Sequence, residues 1–174
     1  MCTWNRRRKQ SVDLENKARF IMAMLRGLML LFVIFSMGNA QVNLDEKCPF
    51  GWKNFGVRCY KYFSQSADWI TAERSCQSLD ANLASVHHKL ENDFLLSLLP
   101  SSSSRSWIGA HDGIKDGQWL WSDGSVYDFT NWCSKEPNND KGQETCLELT
   151  YTSNRCWNDL PSSFKTGYIC AIDL

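Results

Sequence analysis

The sequence predicts a disulfide-stapled α+β domain, and three observations carry that prediction. Helical spacing of apolar residues is concentrated between residues 66 and 99, and short segments rich in aromatic, Cys and aliphatic residues follow from Trp107 onward. Seven of the eight cysteines lie between Cys48 and Cys170. Helices followed by a run of strands indicate the α+β class, built around an irregular sheet, and a body of this length accommodates one domain.

The N-terminal part is set apart by charge. Residues 1–40 hold seven Lys/Arg against Asp13 and Glu15, a net of +5, whereas the other 134 residues carry a net of −5. An acidic body excludes a nucleic-acid partner held by its phosphates. Leu28–Met37 is a short uncharged apolar run with Arg26 as its basic flank, and Gly38-Asn39-Ala40 places small residues before Gln41. That layout predicts a signal peptide with an N-terminal extension over 1–40, a linker over 41–47 and a domain over 48–174. The alternative is a type II membrane anchor running back from Met37 to Phe20. Arg26 interrupts it, and the unbroken part is shorter than the roughly 18–20 residues of a span. The chain is therefore expected to be secreted, and its cysteines to form disulfides. An odd count in the body leaves one thiol without an internal partner, and no Cys-x-x-Cys pair suggests zinc or redox chemistry.

Along the domain, Cys48 and Cys59 bracket a turn-rich stretch that suits a disulfide-closed hairpin. Ser66 is expected to cap a helix carrying Trp69, Ala72, Glu73, Cys76 and Leu79 on one side. A second helix is expected over Lys89–Leu99, with Leu90, Phe94, Leu95, Leu98 and Leu99 as its apolar face, ended by Pro100 and the serine run Ser101–Ser104. Trp107–Gly109, Gln118–Trp121, Cys146–Leu149 and Tyr168–Ala171 read as strands. Between them, Thr130–Leu160 is long, polar and weakly periodic, with Trp132 and Trp157 as anchors. A compact domain keeps so long a segment for function.

That segment contains Glu136-Pro137-Asn138, Glu144 and Asn158-Asp159. All five polar side chains offer hard oxygen ligands, which suits Ca²⁺ better than zinc or copper. A cis bond at Pro137, inexpensive only before proline, aims Glu136 and Asn138 at one point. On residue chemistry alone, a calcium loop and a solvated acidic turn fit equally. Catalysis is not expected. His87, His88 and His111 lack evident partners, and glycoside hydrolysis needs two free carboxylates around the scissile bond.

Taken together, Glu136-Pro137-Asn138, Glu144 ahead of Cys146, and Trp157-Asn158-Asp159 resemble the carbohydrate-recognition signature of the C-type lectin family. Leu83-Ala84-Ser85, Trp107-Ile108-Gly109, Trp119, Trp121, Asn131-Trp132 and Cys170 extend the resemblance over 48–174. It implies a lectin-like domain of two helices, small irregular antiparallel sheets and a long calcium-binding loop region. It further implies one Ca²⁺ held by Glu136, Asn138, Glu144, Asn158 and Asp159, its shell completed by two vicinal sugar hydroxyls. The Glu-Pro-Asn order is the mannose, N-acetylglucosamine and fucose type, whereas Gln-Pro-Asp is the galactose type. A secreted lectin of this kind suits recognition of microbial or cell-surface glycans in innate defence.

The same resemblance marks Asp112 and Asp116 as candidates for a second calcium. Asn139 and Thr145 stand where acidic residues are usual, and turn chemistry also explains Asp112-Gly113 and Asp116-Gly117. It implies the pairs Cys48–Cys59 and Cys76–Cys170, while Cys133–Cys156 resembles an extra pair of fish type II antifreeze proteins of this fold. Cys146 is then the odd thiol, buried or linking two chains into a homo-oligomer. Cys146–Cys156 across a hairpin turning at Tyr151–Asn154 is the other pairing. Two rival functions follow: calcium-dependent ice binding, and a protein-binding lectin-like domain.

Overall fold

The computed structural model describes Arg19, Ile21, Met22, Met24, residues 48–149 and residues 155–174. The expected leader, the linker and the hairpin turn at Tyr151–Asn154 lie outside those residues. The chain divides into two compact units, Met1–Asn43 and Leu44–Leu174, and all that follows concerns the second. No helix among the described residues is long and apolar enough to cross a membrane.

The elements run β1 (Lys53–Phe55), β2 (Arg58–Ala67), α1 (Trp69–Gln77), β3 (Asn82–Leu83), α2 (Lys89–Leu98), β4 (Ser106–His111), β5 (Leu120–Trp121), β6 (Cys146–Leu149), β7 (Trp157–Leu160) and β8 (Thr166–Asp173), with a 3-10 turn at Asp140–Gly142. This is the expected α+β domain with two helices. The strands join in one sheet of order β1-β2-β8-β4-β6-β7, with β3 beside β8 and β5 beside β4. The pairing is antiparallel except for β4 against β8, which run parallel. β2 and β8 form the central ladder, from Arg58↔Asp173 to Ala67↔Thr166.

Two expectations about the helices need correction. Ser66 does not cap α1, because β2 continues through it to pair Ala67 with Thr166. Asp68 takes the role instead, its Oδ1 accepting from Thr71 N at 2.9 Å; both residue types cap well, and the ladder decides between them. Leu79 lies past the helix end and is exposed. In α2 the buried residues are Glu91, Asn92, Leu95 and Leu96, and Phe94, Leu98 and Leu99 pack against the core as expected, whereas Leu90 is 70% exposed. Two polar residues turn inward because each finds partners. Glu91 accepts from His87 N at 2.7 Å, from Arg58 at 3.3 Å and from the Tyr60 hydroxyl, and Asn92 Oδ1 accepts from Trp157 Nε1 at 2.7 Å. A buried polar group held this way costs little.

Of the expected Gln118–Trp121 strand only Leu120–Trp121 pairs, against Ala110 and His111. Tight packing explains the glycine of Trp107-Ile108-Gly109. A Cβ on Gly109 would lie 2.6 Å from Leu83 O and 2.9 Å from Ser122 Oγ, so β4 seats against β3 only without a side chain there. Tyr60, Ile108, Leu147, Leu149, Trp157 and Ile169 form one side of the core, and Trp69, Ala72, Cys76, Trp107 and Cys170 the other.

Disulfides join Cys48–Cys59, Cys76–Cys170 and Cys133–Cys156. Cys146 is a free thiol, 3% exposed, and burial pushes its pKa up to about 12. The alternative Cys146–Cys156 pair is absent. A buried, protonated thiol is a poor nucleophile, so the conformation described here does not offer Cys146 to a second chain.

Candidate functional site

The site is built on the β6–β7 ladder and the loop that precedes it. Leu149 faces Trp157, Glu148 faces Asn158 and Leu147 faces Asp159. Alternation along β7 buries Trp157 and Asp159 and leaves Asn158 half-buried on the other face. The loop is pinned where it begins. Trp132 bridges to Trp157 and packs against it with ring centroids 5.8 Å apart. Cys133 N donates to Trp157 O at 2.9 Å, and Cys133 is bonded to Cys156.

Beyond this anchor the Glu136–Pro137 bond is cis, and the chain wraps around one carboxylate. Asn138 N and Asn139 N donate to Asp159 Oδ1 and Oδ2, at 3.1 and 2.8 Å. Asp140 N then donates to Glu144 Oε2 at 2.9 Å, and Glu144 N to Asn139 Oδ1 at 3.2 Å. Lys135, Asn139 and Lys141 have φ of 75°, 44° and 58°. Asn tolerates the left-handed region, but Lys is strained there, and such strain collects at functional sites.

The electrostatics favour a cation. Loss of solvation, the neighbouring Asp159 and then Glu144 raise the Glu136 pKa. Loss of solvation, Asp159 and Asp140 likewise raise that of Glu144. Glu136 Oε2 is buried with no hydrogen-bond partner, although Asp159 is beside it. Two carboxylates in contact cannot satisfy each other, since both only accept. Asp159 itself is 1% exposed.

Asp112 repeats the pattern nearby. Gly117 N donates to its Oδ2 at 2.8 Å, its Oδ1 is buried without a partner, and burial followed by Asp116 and Asp159 raises its pKa. Asp116 accepts from Asn139 Nδ2 at 2.7 Å.

The structure thus brings Glu136, Glu144 and Asp159 together with the backbone of Asn138 and Asn139, and Asp112 and Asp116 close behind. Among the described residues, no group of three or more His, Cys, Asp and Glu side chains is arranged to hold a metal ion. Asn138 and Asn158 add amide oxygens to this neighbourhood, and hard oxygen donors are the kind Ca²⁺ takes. Asn138 is exposed. Asn158 is turned aside from Asp159, with its Nδ2 donating to Glu148 Oε1 at 3.3 Å.

Sequence reasoning missed two polar arrays. Glu148 is 0% exposed and is gripped by Arg105, whose Nε donates to its Oε2 at 2.7 Å and whose Nη2 donates to its Oε1. The available signal was a carboxylate inside the apolar strand Cys146-Leu147-Glu148-Leu149. The second array is a Ser–His–Asp string: Ser85 Oγ lies 3.1 Å from His87 Nε2, and His87 Nδ1 lies 2.8 Å from Asp128. Its connectivity is that of a nucleophile relay. However, Ser85 is 0% exposed and its hydroxyl donates to Asp123 at 2.5 Å, so the oxygen is out of a substrate's reach. A groove of about 420 Å³ beside Asn92, Phe129, Asn131 and Arg155 contains none of the five candidate ligands.

Comparison with known proteins agrees with this architecture. Residues 65–172 match the Lectin C-type domain family. Ladderlectin of Oncorhynchus mykiss is 42% identical over 129 residues, 71% of this chain and 68% of that protein. The galactose-specific lectin nattectin of Thalassophryne nattereri is 33% identical over 150 residues, 83% and 94% of the two chains. Among solved structures, herring type II antifreeze protein superposes with a TM-score of 0.70 at 34% identity, covering 73% of this chain and 99% of that one. The chain belongs to the C-type lectin domain family.

Proposed function

We propose that this domain binds carbohydrate through a calcium ion held by Glu136, Asn138, Glu144, Asn158 and Asp159. The observation that carries the reading is the cluster of Glu136, Glu144 and Asp159. These are three carboxylates that repel one another while backbone N–H groups of Asn138 and Asn139 hold Asp159 in place. When bound, the ion supplies the positive charge the cluster lacks and open coordination positions for two vicinal hydroxyls. Carboxylate ligands accept from those hydroxyls and amide ligands donate to them. With Glu136 ahead of Asn138, the reading is mannose-type: mannose, N-acetylglucosamine or fucose-type glycans on microbial or cell surfaces, met outside the cell. Asp112 and Asp116 are the candidates for a second ion, with Asn139 taking part through its bond to Asp116.

A second reading has its own support. The likeness to herring type II antifreeze protein and the Cys133–Cys156 bond fit a domain that presents the same loop to ice. Retention on immobilised mannose in calcium and release by EDTA are expected for the sugar reading. Mannose retention that persists in EDTA would sink the mechanism. No retention on any glycan, together with calcium-dependent arrest of ice growth, would establish the ice reading in its place.

A further inference from the structure

We infer that Glu148, clamped by Arg105, is a positioning residue that fixes which edge of the Asn158 amide faces the ion. The inference rests on the calcium-dependent reading above and deepens it. A planar amide has a donating edge and an accepting edge, and the two are easily exchanged by rotation. Only the carbonyl edge binds a hard cation. Asn158 is half-buried on β7, and Trp157 and Asp159 point to the opposite face, so neither fixes its rotation. Its direct cross-strand partner is Glu148.

A carboxylate only accepts, so an amide meeting Glu148 must present its NH₂ group, as Asn158 does through Nδ2 at 3.3 Å. The carbonyl oxygen is thereby turned away from Glu148 and left for a ligand, and the second amide hydrogen stays available to a hydroxyl. Glu148 is completely buried, where a carboxylate without a charged partner is costly. Arg105 supplies the compensation. It forms two hydrogen bonds to the carboxylate, and its guanidinium lies 4.6 Å over the Phe164 ring, which fixes it in turn. The chain Phe164–Arg105–Glu148–Asn158 thus carries order from the β7–β8 connection into the ligand set. A buried ion pair adds little to stability on its own, whereas a partner that orients a metal ligand is typically worth about 10–100-fold in affinity.

The test uses the full chain, wild type beside Glu148→Gln and the double variant Arg105→Met/Glu148→Met. The first replaces an acceptor by an amide that tolerates either orientation of Asn158. The second removes both charges at similar volume and leaves no lone buried charge. Calcium affinity is read by calorimetry, the calcium-free Tm by thermal melting, and the Asn158 side-chain NH₂ signals by NMR without calcium. The expected result is an affinity loss of about tenfold or more in both variants, a wild-type calcium-free Tm and displaced Asn158 signals. Unchanged affinity in both variants overturns the inference. So does an affinity loss seen only where the calcium-free Tm also falls, since that assigns the pair to the fold. A wild-type protein that binds no calcium defeats the functional reading itself, and Asn158 signals unmoved by Glu148→Gln then defeat the clamp separately.

Discussion

Glu136 and Asn138 are two residues apart, yet they play opposite hydrogen-bonding roles: one carboxylate that accepts and one amide that donates. On the proposed sugar reading, these two residues, on either side of a single proline, define a direction along which a pair of hydroxyls is read. Exchanging them as Glu136→Gln with Asn138→Asp preserves the count of carboxylates and oxygen ligands, so calcium affinity should stay within a few-fold while the direction reverses. The expected outcome is at least a tenfold loss for mannose, about 1.4 kcal/mol, with a gain for galactose, measured by calorimetry with both sugars. A double variant that keeps its mannose preference contradicts the polarity argument. Asp159 is a different kind of residue. Both its oxygens already accept from the loop backbone, so it shapes the loop as well as contributing charge.

At the scale of elements, the loop is tethered to β7 by Cys133–Cys156, which closes 23 residues. Closing a loop of that size restricts the unfolded chain by about 3 kcal/mol. Replacing both cysteines by serine should lower Tm by roughly 10 °C and weaken calcium binding, both read on the same sample. A variant with unchanged calcium affinity would show that Trp132 and Trp157 alone set the loop. This scale also shows what the sequence reveals. Cys146–Leu149 is legible as a strand because its composition and boundaries are local, and the proximity of Glu136 and Glu144 to Asp159 because all three belong to one polar segment. Ser66 and Leu90 were misread because their fate depends on distant partners: the Ala67↔Thr166 pair extends β2, and Trp157 draws Asn92 inward. Glu148 was passed over for the same reason. Its guanidinium partner lies 43 positions away, and no periodicity records such a contact.

For the whole molecule, the proposed calcium site implies a coupling of folding, calcium and pH that one subtraction isolates. Glu136, Glu144 and Asp112 have raised pKa values, through burial first and neighbouring carboxylates second. A carboxylate whose folded pKa exceeds its unfolded value holds its proton more tightly when folded, so its contribution to stability is present at low pH and lost as pH rises through the folded pKa. At neutral pH the calcium-free domain is therefore destabilised by these three groups, and acidification relieves it. Calcium requires the ionised forms and loses affinity as they protonate. Other groups work in the opposite sense: Asp123, bonded to Ser125, Ser85 and Arg58, has a lowered pKa despite its burial, so its stabilisation fades on acidification. Such distant groups act alike with and without calcium and cancel in the difference of the two Tm values. That difference should be largest near neutrality and shrink as pH falls, with the decline beginning above the ordinary glutamate value of 4.5. Thermal melts in calcium and in EDTA across pH 4–8 measure it directly. A difference that stays constant across the whole range from pH 8 to 4 would mean that the ion is not held by these carboxylates.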